Sequence, residues 1–452
     1  MQTIALLSHS SPSAVVAYRD GVAVTVRRFL ADAAHLAHSY PSSKHMLNVC
    51  GDRYHFTVGL VACLMSDRIS LLPSTHTPEV IAQLRKFAPD AFCLTDDAHC
   101  EIALPQVRFP DQPAEERADQ GAASPFQVPS IPAAQLAAIV FTSGSTGAPV
   151  PHKKTWGPLA RCVQSGAPRL GLVDGRHHTL IGTVPGQHMY GFESTVLLAL
   201  LSGNAFSAER PFYPADIAAS IARVPRPRVL VTTPIHLRTL LASDVDIPAL
   251  DLVVSATAPL SRDLAGEVER RYGTSLLEIY GSTETGQIAT RHTAKTAAWR
   301  LWPDVRLNVS RDMAVAHGGH VEQPTPLCDV VELTGKDEFL LHGRTADLVN
   351  IAGKRSSFAY LNAQLNAIRG VADGAFFLRE GLKGSTGVDR LGAVVVAPGL
   401  SAAELIEHLR QRIDPVFLPR PLLMVDELPR NATGKLPQQA LQTLAASLRE
   451  EL

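Results

Sequence analysis

The sequence predicts an α/β protein: a large N-terminal layered α/β domain with mainly parallel sheets, followed by a small α+β domain. Three observations carry that expectation. Amphipathic stretches alternate with short apolar runs through much of the chain, as happens when helices cover a parallel sheet. Several of those apolar runs open directly into clusters of Gly, Ser and Thr. From about residue 333 onward the pattern shifts to a hairpin and a compact mixture of strands and helices.

In chain order, residues 26–37 place apolar side chains at helical spacing, and Met46-Leu47-Asn48-Val49-Cys50-Gly51 reads as a buried strand ending in a turn. Residues 56–65 form a mostly apolar helix and Ile69-Ser70-Leu71-Leu72-Pro73 a second strand. Residues 103–136, rich in Pro, Ala, Gln and acids, read as surface connection. Then Ala137-Ala138-Ile139-Val140 leads as a buried strand into Phe141-Thr142-Ser143-Gly144-Ser145-Thr146-Gly147-Ala148-Pro149. Glycines let backbone N–H groups face an anion, and hydroxyls add donors, so this run has the chemistry of a phosphate-binding loop. It lacks the Gly-Lys-Ser/Thr of the P-loop and the GxGxxG of dinucleotide folds.

Further strands at residues 180–184, 229–234, 252–255 and 276–279 alternate with helices at 194–201, 236–241 and 264–271, with Gly203 as a helix stop. Parallel strands in that order deliver their special loops at one edge, where open α/β sheets bind ligands. Residues 333–341 read as a hairpin. The domain boundary is placed there, giving domains of about residues 1–344 and 345–452.

Composition narrows the function classes. The chain has 452 residues, 46% hydrophobic and 19% charged, with a formal net charge of -1. Nothing global attracts nucleic acid or an anionic membrane, so any anion must be held locally. The longest apolar runs fall well short of the roughly 20 residues that span a bilayer. No basic segment of a signal peptide precedes them. Six scattered cysteines without a CxxC pair read as reduced thiols, and together these features predict a cytoplasmic protein. No HExxH or GxSxG motif supports a hydrolase.

Seven stretches, taken together, resemble the adenylate-forming superfamily of acyl- and aryl-CoA ligases, peptide-synthetase adenylation domains and luciferases. They are residues 141–149, His188-Met189-Tyr190-Gly191, residues 255–260, Tyr280-Gly281-Ser282-Thr283-Glu284-Thr285-Gly286, residues 327–333, residues 343–354, and Pro429-Arg430-Asn431-Ala432-Thr433-Gly434-Lys435. The resemblance implies ATP-dependent activation of a carboxylic acid, with release of AMP and pyrophosphate, through an acyl adenylate. A thioester then forms on coenzyme A or on a carrier protein's phosphopantetheine. It also implies that the small C-terminal domain is mobile.

By the same resemblance, Thr142, Ser143, Gly144, Ser145, Thr146 and Gly147 hold the β- and γ-phosphates, Thr283 contacts the α-phosphate, and Glu284 holds Mg²⁺. Ala256, Thr257, Ala258 and Tyr280 accommodate adenine, Asp329 the ribose, and Arg344 the nucleotide. Lys435 offsets charge at the reacting phosphorus. His188 lies between acid site and thiol tunnel, Ser255, Gly281 and Ser282 near the acid, and Gly353 along the tunnel.

The chain departs from the pattern where Val150 replaces the lysine after the loop, leaving Lys153 or Lys154 to supply that charge. Ala346 stands at the usual hinge position, followed by Asp347. The segment between Gly286 and Asp329 is short for the family. The wording from Phe141 to Trp156 resembles bacterial ligases of aryl-polyene and xanthomonadin-type pigment clusters, which load an acyl carrier protein with an aromatic acid. The expectation is an acid–thiol ligase acting on an aromatic acid such as a hydroxybenzoate. A medium-chain acyl-CoA synthetase and a non-catalytic adenylate-binding regulatory protein are the alternatives.

Overall fold

The computed structural model describes residues 2–110, 126–143, 149–310, 313–344, 348–351, 354–379, 390–431 and 434–450. The chain divides into two compact units. The first comprises residues 1–256, 262–306 and 317–325, and the second comprises residues 257–261, 307–316 and 326–452.

Among the described residues, one sheet of the first unit runs in the order Pro149–Thr155, Leu136–Ser143, Ile69–Leu72, His45–Asn48, Phe92–Thr95, Gln106–Arg108. Its pairings are parallel except for Pro149–Thr155, which returns antiparallel along Leu136–Ser143. The helix Arg53–Met65 follows His45–Asn48, and Asp52 caps it by accepting from the amides of Tyr54 and His55. Helix Val26–Ser39 is capped in the same way by Thr25. Both helices bury apolar faces in a core that also takes in Phe29, Leu60 and Phe92.

The expected surface connection proves more ordered at its ends. Gln106–Arg108 joins the sheet, and Ser130–Pro132 pairs antiparallel with Thr3–Ala5. Both are three-residue strands containing few apolar side chains, too short to show a period in the sequence.

A second sheet of the first unit orders its strands Trp299–Leu301, Gly286–Arg291, Ser275–Ser282, Leu252–Ser255, Arg228–Thr232, Thr179–Gly182, Ala205–Ser207, Val15–Arg19, Val22–Thr25. From Ser275–Ser282 to Val15–Arg19 every pairing is parallel. The register aligns Gly182 with Val231, and Thr232 with Ser255, which in turn faces Glu278. Three of these strands therefore end nearly level, Ser275–Ser282 runs on past them, and their loops emerge at one edge.

Arg53 braces that edge from beneath. Its guanidinium, 3% exposed, donates to the carbonyls of Gly182 (2.7 Å), Ser207 (2.9 Å) and Val184 (3.2 Å). Burial lowers its pKa to about 10. A buried cation is tolerated here because carbonyl oxygens replace its water.

In the second unit, Asp329–Leu333 pairs antiparallel with Glu338–Arg344, a longer hairpin than the sequence predicts. The strands Asp373–Arg379, Arg390–Val396 and Leu422–Met424 form another sheet, covered by a core that includes Leu361, Leu365, Phe376, Leu405 and Leu409. Helix Ala402–Arg410 starts in a capping box made by Ser401 and Glu404.

Candidate active site

Ala137, Ala138, Ile139, Val140 and Phe141 are all buried, so the strand that leads to the Ser/Gly-rich run is anchored in the core. Gly144, Ser145, Thr146 and Gly147 lie outside the described residues, as does the side chain of Ser143. The returning strand sets Val150 opposite Thr142, His152 opposite Val140 and Lys154 opposite Ala138. The two-residue period of a strand places Val150, His152 and Lys154 on one face.

That face meets the Glu284 turn. His152 Nε2 lies 2.9 Å from Thr142 Oγ1 and 3.7 Å from Glu284 Oε1. Lys154 Nζ donates to the Glu284 carbonyl at 3.1 Å. Thr142 and Glu284, 142 positions apart in the chain, are thus joined through one histidine.

The turn itself is held by its own hydroxyls. The Ser282 amide donates to Thr285 Oγ1 (3.1 Å) and the Thr285 amide to Ser282 Oγ (3.2 Å). Gly281 has no room for a side chain, since a Cβ would lie 2.2 Å from the Gly286 carbonyl oxygen. Gly286 adopts φ +70°, the left-handed conformation glycine favours.

Electrostatics prepare the turn for a cation. Burial by itself raises the Glu284 pKa, but hydrogen bonds from its own amide and from Ser282, with the charges of His152 and Lys154, bring it below the usual value. The carboxylate is ionised at neutral pH, and its side chain is 45% exposed. A hard, charged, accessible oxygen fits Mg²⁺ shared with phosphate oxygens. Burial lowers the pKa of Lys154, while Glu193, Cys162 and Glu284 hold it up.

His188 precedes the helix Met189–Gly191, which continues through a π-helical turn, Phe192–Leu197, into Leu198–Ser202. Gly203 ends it at φ +72°, as the sequence predicts. Gly191 is obligatory here, because a Cβ would stand 2.1 Å from the Pro185 carbonyl oxygen. Tyr280 packs its ring 5.5 Å from that of Trp299. Thr283 is partly exposed in the turn, Ser255 is fully buried at its strand end, and Ala256 is 7% exposed. Thr257, with φ +81°, and Ala258 belong to the second unit.

A cavity of about 550 Å³ opens within the first unit beside the Glu284 turn. Its walls include Lys154, Leu159, Cys162, Met189, Glu193, Gly286 and His320. Of these, Glu193, Cys162 and His320 escaped the sequence reading. The available signal was Glu193, a single acid among the apolar residues from Met189 to Leu201. Burial pushes its pKa up to about 7, against the pull of Lys154, Cys162 and Gln287.

In the second unit the hairpin register places Asp329 opposite Arg344. The loop before Lys435 is tied down by Arg430, whose guanidinium reaches Asp373 at 2.6 and 2.8 Å and the Gly434 carbonyl at 2.9 Å. Asn431 closes the turn by accepting from the Lys435 amide (2.9 Å), leaving the Lys435 side chain exposed. Gly353, Ala346 and Asp347 lie outside the described residues. No group of three or more His, Cys, Asp or Glu suited to a metal occurs among the described residues, nor does a helix long and apolar enough to cross a membrane.

Residues 3–330 match the family described as AMP-binding enzyme, and residues 365–435 match the AMP-binding enzyme C-terminal domain. A 4-coumarate–CoA ligase of Rhodobacter capsulatus is 32% identical over 277 residues, covering 61% of this chain and 67% of that protein. A 4-chlorobenzoate–CoA ligase of an Arthrobacter species is 24% identical over 369 residues, covering 72% and 69%. The fold matches o-succinylbenzoate CoA synthetase from Bacillus subtilis, solved with its acyl-adenylate intermediate, at a TM-score of 0.80 and 19% identity over 98% of this chain and 99% of that one. With matches to both family domains, the fold, and a strand and turn that meet at Glu284, the chain belongs to the adenylate-forming superfamily of AMP-binding enzymes.

Proposed function

We propose that the protein activates a carboxylic acid with ATP and transfers the acyl group to a thiol. An oxygen of the acid attacks the α-phosphorus, and the bond to the β-phosphate's bridging oxygen breaks, releasing pyrophosphate. The thiol then attacks the carbonyl carbon of the acyl adenylate, gives up its proton, and AMP leaves. The observation that carries this reading is the meeting of Thr142, His152 and Lys154 with Glu284.

Both reactants are anions, so positioning and charge stabilisation supply the rate. Lys154 takes the place of the lysine that Val150 lacks, because its side chain faces the Glu284 turn. Residues 142–147 hold the β- and γ-phosphates, and Thr283 the α-phosphate. Mg²⁺, when bound, neutralises phosphate charge, and Glu284 is the residue that holds it. Ala256, Thr257, Ala258 and Tyr280 take the adenine, and Asp329 and Arg344, opposite each other on one hairpin, take the ribose and the nucleotide. Lys435 brings its ammonium to the α-phosphate from a loop braced by Arg430. His188, Gly281 and Ser282 border the acid, and Gly353 the thiol arm.

The acid is aromatic, in keeping with the 4-coumarate and 4-chlorobenzoate named for the relatives. The thiol belongs to coenzyme A or to a carrier protein's phosphopantetheine. The small domain begins near residue 345 and moves between the two half-reactions. Pyrophosphate exchange over a panel of acids, followed by transfer to coenzyme A or holo-carrier protein, tests the reading. Release of ADP in place of AMP and pyrophosphate would sink it.

A further inference from the structure

We propose that Glu193 is a positioning residue for adenylation, whose carboxyl holds Lys154 and the strand leaving the Glu284 turn in place against each other. The inference rests on the reading that Lys154 and this turn serve the phosphates of ATP. It adds to that reading a buried acid that acts through the others.

Glu193 is the one charged residue between Met189 and Leu201, and it is 2% exposed. It lies on the π-helical turn Phe192–Leu197, directly after the short helix that His188 precedes. Such turns are rare and gather at functional sites. An apolar side chain would fill the same place without taking a carboxyl out of water. The partners of Glu193 account for an acid there.

Gln287 is the first. Its main-chain amide and its side-chain amide both donate to the Glu193 carboxyl. Its Nε2 also donates to Ser194 Oγ at 2.7 Å. Two consecutive residues of the π-helical turn thus grip one residue just beyond Glu284. The Cys162 thiol joins them, 3.3 Å from Glu193 Oε1 and 3.7 Å from the Gln287 carbonyl oxygen. Gly286 allows this close approach, since a Cβ there would lie 2.9 Å from Glu193 Oε1. Neutral His320 also faces the main chain of Thr285 and Gln287.

Lys154 is the second partner. Burial disfavours its charge, and of the groups that restore it Glu193 acts most strongly, ahead of Cys162, Glu284 and Glu322. The same ammonium donates to the Glu284 carbonyl at 3.1 Å. One lysine is therefore drawn to the buried acid and bonded to the turn. The carboxyl links the strand Pro149–Thr155, through Lys154, to the strand Gly286–Arg291, through Gln287. In a reaction that depends on alignment, a shift of about 1 Å in either costs on the order of 10²-fold.

The test follows pyrophosphate exchange by the full-length enzyme with benzoate, 4-coumarate, octanoate and malonate, and continues with the acid that reacts fastest. Glu193→Leu removes both links and should lower kcat by about 10²-fold. Glu193→Gln keeps an acceptor for the Gln287 amide but loses the charge that attracts Lys154, and should cost about tenfold. Added to Lys154→Ala, the same Glu193→Gln change should lower kcat by less than about twofold, because its effect passes through the lysine. Thioester formation from ready-made acyl adenylate, with coenzyme A or holo-carrier protein, should stay near the wild-type rate in Glu193→Gln.

Equal slowing of both half-reactions would make Glu193 merely structural, and independent losses from Glu193→Gln and Lys154→Ala would show that it does not act through the lysine. Either result, or an unchanged kcat, overturns the inference, while exchange by the wild type keeps the enzymatic reading. If Glu193→Leu fails to fold, Glu193→Gln and its combination with Lys154→Ala decide the question. If the wild type supports exchange with none of the acids, the enzymatic reading falls and this inference with it.

Discussion

The Lys154 ammonium donates to the main-chain carbonyl of Glu284 at 3.1 Å, joining the strand that returns from the Ser/Gly-rich run to the turn that carries the site's accessible carboxylate. The contact leaves the Glu284 side chain to other partners, since only its backbone oxygen is engaged by the lysine. On the proposed reading, it also supports Lys154 as the source of the charge that Val150 does not supply. The strand's alternation carries Lys154, and not Lys153, on the face shared with His152 and Val150.

Lys154→Ala should therefore reduce pyrophosphate exchange by about 10²-fold, chiefly in kcat, as loss of one charge-stabilising donor does. Lys153→Ala should cost distinctly less. Steady-state exchange kinetics of the two variants make the comparison, and equal losses would remove the assignment to Lys154.

Lys435→Ala should lower adenylation by about 10²- to 10³-fold while leaving the melting temperature unchanged, because its side chain is exposed. Thioester formation from acyl adenylate supplied ready-made should proceed at close to the wild-type rate. A variant slowed equally in both half-reactions would contradict a role confined to the first.

Arg430 is predicted to act through Lys435. Its two-pronged pair with Asp373 is about four-fifths buried, and the same guanidinium holds the Gly434 carbonyl. Arg430→Ala should destabilise the protein by about 1–3 kcal/mol by leaving Asp373 unpaired. Adenylation should fall while thioester formation is spared, and Arg430→Lys should restore stability more than rate, because an ammonium cannot reproduce the two-pronged geometry. Denaturation curves set against the two half-reaction rates check this.

Stability should depend on pH in two windows. The Glu193 pKa rises in the folded state from 4.5 to about 7, so the folded chain holds that proton more tightly. The resulting stability is present in full below 4.5 and is lost as pH rises through 7. Glu193→Gln, which cannot ionise, should gain on the wild type between pH 5 and 8, by a few kcal/mol at most. Burial lowers His9, His236 and His320 from 6.5 to about 4. Their contribution is present above 6.5 and lost as pH falls through 4. Urea midpoints at pH 4, 5, 7 and 8 check both windows. A Glu193→Gln advantage that is the same at pH 5 and pH 8 would contradict the first.

Much of this was legible in the residues alone. The helix stop at Gly203, the strand before Thr142 and the parallel strands ending in special loops follow from local periods and turn chemistry, which act over a few residues. The short strands Gln106–Arg108 and Ser130–Pro132 were not legible, because three residues display no period and pairing partners decide their state.

By itself the sequence determined the layered α/β class, the order of the motifs and the family they mark, because each is written in neighbouring residues. Only the tertiary structure decided that His152 and Lys154 face Glu284, and that Glu193, Cys162 and His320 converge on Gly286. Those meetings depend on strand register and sheet order, which bring together side chains up to 158 positions apart and which no local pattern records.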